Sequence, residues 1–166
     1  MNIQRNSAPF SGPLSWKLCR ILSLALLPVL IVLNFYGLYS NQFYWFKVDN
    51  YIFPLVTILH YIYLSSLHFR IREAEYPDLQ LRNLEYAMYG AMIIYGFKWM
   101  DTLYVLMSYN DYDHHLLPET FFPVGMTLLG LQAWLLALTF AAFYFRKSLV
   151  GSYNFDQVNE KFDSWR

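Results

Sequence analysis

The sequence predicts an all-α integral membrane protein, a four-transmembrane-helix antiparallel bundle with N and C termini cytoplasmic. Three observations lead there: long stretches without charge, a one-sided distribution of basic residues, and a composition too apolar for a soluble domain. Of the 166 residues, 57% are hydrophobic, 20% aromatic and 14% charged, against about 25% charged in an average soluble domain. The runs between Arg20 and Lys47, between Asp49 and Arg70, and between Glu119 and Arg146 carry no formal charge over 26, 20 and 26 residues. About 20 apolar residues cross a bilayer core as a helix, and a backbone facing lipid must satisfy its own hydrogen bonds. A soluble core helix keeps one polar face, whereas Ile21–Leu33 is apolar all round except Ser23.

Each element follows from these runs. A cytoplasmic segment, 1–17, precedes spans near 18–39, 51–69, 86–109 and 122–145, and a polar tail occupies 147–166. The third span is the exception, because it holds Lys98 and Asp101. The first span is expected to be retained, since its apolar stretch exceeds a signal peptide's and bulky Asn34-Phe35-Tyr36 stands where a small-residue cleavage motif belongs. In the loop after the second span, Pro77 discourages a helix through Tyr76. Asp78 is suited to cap the next helix, which is expected to start near Leu79.

The basic residues fix the expected orientation. Arg5, Lys17 and Arg20 precede the first span; Arg70, Arg72 and Arg82 follow the second; Arg146, Lys147, Lys161 and Arg166 follow the fourth. The other two loops together hold Lys47 alone. Under the positive-inside rule this puts both termini in the cytoplasm, and the expected location is a plasma membrane or bacterial inner membrane.

Ionisable groups at membrane depth are costly and become candidate functional residues. Lys98 and Asp101 lie one turn apart on a helix, and Ala87, Ala91, Ile94, Thr102 and Val105 project to the same side. Small Ala87 and Ala91 predict that this side points inward. Asn34, His60 and Gln132 offer polar groups from the other spans, giving an expected intramembrane layer of Asn34, His60, Lys98, Asp101 and Gln132. Such a layer can act as interhelical glue, as a proton or ion relay, or as the wall of a binding pocket.

The fourth span carries two stripes. Gly125, Gln132 and Thr139 recur every seven residues, while Gly130, Ala133, Ala137 and Ala141 form a second small-residue face. Small residues let helix backbones approach closely in lipid, so the second face is a candidate helix-packing surface, within the monomer or toward another chain. In the tail, Phe155, Val158, Phe162 and Trp165 recur at helical spacing, which predicts a short amphipathic helix on the membrane surface or against a partner.

The loop before the fourth span contains Asp111, Asp113, His114 and His115. Carboxylates and imidazoles are ligands for zinc, iron or manganese, yet no HxxxH or ExxH helix spacing supports them, and a solvated loop is the plainer expectation. Haem ligation has no partner for His60: His68 is on the same span, and His114 and His115 lie at or beyond the outer boundary. Lys98-x-x-Asp101-Thr102 with Asp111-x-x-His114-His115 is similar, over 18 residues, to motifs of the fatty-acid elongases. It lacks that family's Glu, its Lys-to-Asp spacing is too short, and Asp111 replaces the first histidine of the box, so no residue roles transfer.

Composition also bounds partners and cofactors. Twelve basic residues balance twelve acidic ones, which leaves no basic field for nucleic acid. One cysteine excludes an internal disulfide and a cysteine-based zinc site. No nucleophile–base pair or phosphate loop appears and no cofactor is expected. The reading that follows is a non-catalytic accessory or assembly subunit, whose partners are the lipid bilayer and other membrane subunits or further copies of itself. The alternatives are a relay or small transporter built on Lys98, Asp101 and His60, and a lipid-modifying enzyme with metal at Asp111–His115.

Overall fold

The computed structural model describes residues 15–111 and 117–153. Four long helices dominate: α1 (Trp16–Asn34), α2 (Ile52–Glu73), α3 (Leu79–Met107) and α4 (Phe121–Phe145). α1, α2 with the short turn leading into it, and α4 are long and apolar enough to cross a membrane. This is the architecture of a multi-pass membrane helix bundle. The more charged α3 is not among those three, although at 29 residues it is ~43 Å long.

Local chemistry sets the helix ends. Ser15 Oγ accepts from the Leu18 N–H at 3.3 Å, capping α1. Asp78 Oδ1 accepts from the Leu81 N–H at 2.9 Å, so α3 begins at Leu79 as the sequence predicts. α2 closes through Ala74, which adopts a left-handed conformation at φ 53° and takes the place glycine often fills. The Ala74–Asp78 connection is pinned by Arg70, which pairs with Glu75 and, at 2.6 Å, with Asp78. α1 stops at Asn34, short of the expected span end at Tyr39, because the chain turns there into a small hairpin. Tyr36–Gly37 pairs antiparallel with Gln42–Phe43, and Asn41 takes the positive φ of the turn.

The helices pack in chain order around a ring, α1 on α2, α2 on α3, α3 on α4 and α4 back on α1. Contacts at the two ends establish the antiparallel arrangement. At one end, Tyr36 and Tyr39 of the hairpin meet Thr120 before α4 and Ser108 after α3. At the other, Trp16 packs edge-on against Phe145 and Arg146 reaches Glu85 at 2.6 Å.

Burial is periodic where composition is not. Trp16, Cys19, Ser23, Leu27 and Leu30 of α1 are buried, as are Phe121, Gly125, Leu128, Gln132 and Leu135 of α4. Steps of three and four residues make these the inward seams of a bundle. Outward positions such as Ile21, Leu55, Ile93 and Phe140 are equally apolar and exposed, as lipid contact requires. Ser23, the one polar residue in the apolar run of α1, is fully buried and donates to Cys19 O at 2.9 Å.

Candidate functional site

The hairpin end of the bundle holds a half-open chamber of about 420 Å³. Its walls come from the end of α1, the hairpin, α3 and α4, and they include Asn34, Lys47, Lys98, Asp101 and Gln132. Four of the five residues expected in the polar layer therefore meet at one place. They meet where α1 ends at Asn34 and the chain folds back as the hairpin, against α3 and α4.

The hairpin is held as a roof. Asn34 Nδ2 donates to Asn50 O at 2.7 Å, and Asn50 Nδ2 donates to Tyr44 O at 3.0 Å, so two carboxamides tie the loop to the last turn of α1. Phe35 stacks on Trp45 with ring centroids 5.0 Å apart, and Trp45 stacks on Phe43 at 5.6 Å. Gly37 sits against the Tyr44 ring so closely that a Cβ there would overlap it.

Lys98 and Asp101 face the chamber without pairing. Among the described residues neither side chain forms an ion pair or a hydrogen bond. Lys98 is half-buried and Asp101 exposed, which puts the carboxylate near the mouth. Gln132 is 8% exposed, and its buried Oε1 has no hydrogen-bond partner among the described residues. Ala91 and Thr102 are buried as expected for the inward side, but Ala87 is exposed. That expectation is corrected because the inward seam of α3 runs through Leu81, Glu85, Met88, Ala91 and Tyr95, placing Ala87 off it.

His60 stands apart from the layer. It is fully buried, its Nδ1 lies 3.2 Å from Tyr95 Oη, and it does not line the chamber. Its Nε2 has no partner among the described residues. The α4 stripes divide cleanly: Gly125, Gln132 and Thr139 are buried, whereas Gly130, Ala133 and Ala137 are exposed and Ala141 is half-buried.

At the opposite end the structure holds a polar cluster that sequence reasoning missed. Glu85 is 2% exposed and accepts from Arg146 at 2.6 Å, Tyr89 Oη at 2.8 Å and Tyr153 Oη at 2.5 Å. Arg146 also donates to Gly151 O at 3.1 Å and lies 4.7 Å above the Tyr153 ring. The backbone from Arg146 to Val150 winds into one π-helical turn, which brings Tyr153 back over the pair. Burial and the Glu85 carboxylate push the Tyr153 hydroxyl pKa upward. The available signal was spacing, since Leu81, Glu85 and Met88 fall four and three residues apart; a span drawn from 86 leaves Glu85 just outside it.

Asp113, His114, His115 and the tail residues Phe155, Val158, Phe162 and Trp165 lie outside the described residues, and nothing is described of the Asp111 side chain. Among the described residues no group of three His, Cys, Asp or Glu is placed to hold a metal ion. Comparison of the chain with known protein families, with characterised proteins and with solved structures finds no match.

Proposed function

We propose that the chain is a four-span protein of a plasma or bacterial inner membrane, with both termini cytoplasmic, that serves as a non-catalytic accessory or assembly subunit of a larger membrane complex. Spanning by α3 is supported by its length and by its packing between α2 and α4. Three of its charges also have polar surroundings: Glu85 is neutralised by Arg146, and Lys98 and Asp101 line the half-open chamber. The orientation is supported by the sequence, in which ten basic residues fall in the terminal segments and the loop after the second span against Lys47 alone in the other two loops.

The observation that carries the assembly reading is the division of α4. The buried stripe already serves the chain's own bundle, so the exposed Gly130, Ala133 and Ala137 have no packing task within it. A Cβ added at Gly130 meets nothing within 4 Å. Beside this stripe runs an apolar groove of about 230 Å³ between α1 and α4, walled by Leu22, Leu26, Val29, Leu131 and Trp134 among others. Lipid chains gain nothing from small side chains, whereas a second helix gains close backbone approach. The occupant proposed is a transmembrane helix of a different chain.

Affinity purification in mild detergent tests this. The wild-type chain should carry a second membrane polypeptide in fixed ratio, and Gly130→Leu with Ala137→Leu should lose it while still inserting. Purification of this chain alone across several detergents, or recovery only of further copies of itself, contradicts the reading.

A further inference from the structure

From the chamber beneath the hairpin, we propose a binding site for a zwitterionic phosphoethanolamine group. The site requires the membrane placement of α3 but not the assembly role.

Four observations select this chemistry. Lys98 and Lys47 line the same chamber from α3 and from the loop, so it has two cationic side chains in its wall. Asp101 supplies one carboxylate at the mouth, one turn from Lys98, and the two do not bond to each other although they are side by side. Groups held near one another but unpaired are placed to engage the two ends of a ligand carrying both charges. Third, Gln132 lines the same chamber from α4 and is more than nine-tenths buried, so it gives the chamber a polar inner wall. Finally, about 420 Å³ falls in the range of small-molecule pockets, about 300–1,000 Å³.

Two positive groups against one negative favour a phosphate over a carboxylate, because a phosphate carries more charge and more acceptor oxygens. The ammonium end then belongs to Asp101. A phosphoethanolamine group reaches the chamber either as the head of a membrane phospholipid or as a free soluble zwitterion.

The test uses the purified full chain in detergent, with binding read by native mass spectrometry and thermal melting. The probes are dihexanoyl phosphatidylethanolamine, dihexanoyl phosphatidylglycerol, dihexanoylglycerol and soluble O-phosphoethanolamine. The phosphatidylethanolamine should bind best, the phosphatidylglycerol more weakly, and the phosphate-free dihexanoylglycerol not at all. Lys98→Met should weaken both phospholipids by about tenfold or more, as expected for loss of a charge-assisted contact. Asp101→Asn should erase the preference for ethanolamine over glycerol while leaving phosphate binding.

Binding of O-phosphoethanolamine as tight as that of the phospholipid assigns a soluble ligand; much weaker binding assigns a lipid. Equal binding of all three dihexanoyl compounds by the wild-type protein overturns the site without reference to any variant. Unchanged selectivity in a well-folded Asp101→Asn, or in Lys98→Met combined with Asp101→Asn, overturns it too. Co-purification of a partner is read separately, so loss of the assembly reading leaves this result standing.

Discussion

Glu85 shows how much one side chain can fix in an apolar bundle. Its carboxylate gathers Arg146, Tyr89 and Tyr153 and so fastens the end of α4, and the chain beyond it, to the first turns of α3. Removing one partner of a buried pair leaves the other charge uncompensated, at about 3–5 kcal/mol. Glu85→Ala should therefore lower the melting temperature in detergent sharply. Glu85→Leu with Arg146→Leu should recover most of the loss, because no lone charge remains. Tyr153 gives a pH signature of the same cluster. Its pKa is raised in the folded state, so the folded protein holds the proton after an unfolded chain, titrating at about 10, has begun to lose it. The contribution is full below about pH 10 and fades as pH climbs through the folded value. Tyrosinate absorbance at high pH should count one fewer late-ionising tyrosine in Tyr153→Phe than in the wild type.

At the scale of helices, α4 offers an internal control for packing. A Cβ on Gly125 would lie 2.5 Å from Leu106 Cδ2, so Gly125→Leu should overpack the seam and destabilise the fold by about 1–3 kcal/mol. Gly130→Ala, with open space around it, should instead stabilise the isolated chain by about 1 kcal/mol through helix propensity. Melting of the two variants beside the wild type checks both signs. The helices themselves were legible in the sequence, because uncharged runs of 20 and 26 residues leave few alternatives in lipid. So was the start of α3, since Pro77 and Asp78 act locally. The rotation of α3 was less legible: Ala87 reads as an inward small residue and proves exposed, because in a membrane protein the outward side is apolar too and the usual contrast between faces is lost. The hairpin after Asn34 was also hidden, being stabilised by Asn34–Asn50 and Tyr39–Ser108 bonds between residues far from adjacent.

For the whole molecule, the two ends do different work. One end locks α3 to α4 through a buried ion pair, and the other leaves Lys98, Asp101 and Gln132 around a chamber. The sequence announced Asn34, Lys98, Asp101 and Gln132 as polar residues within predicted spans, but His60 belongs to Tyr95 instead, a distinction that helix rotation decides and residue type does not. All of this rests on α3 crossing the bilayer, so that Glu75 and Ser152 share a side. Site-directed cysteine labelling in intact cells measures it most directly. With the buried Cys19 replaced by Ala, single cysteines are placed at the exposed positions Phe46, Glu75, Glu119 and Ser152. An impermeant maleimide should label Phe46→Cys and Glu119→Cys in intact cells, and Glu75→Cys and Ser152→Cys only after permeabilisation. Labelling of Glu75→Cys and Ser152→Cys from opposite sides would mean that α3 does not span, and would contradict the account.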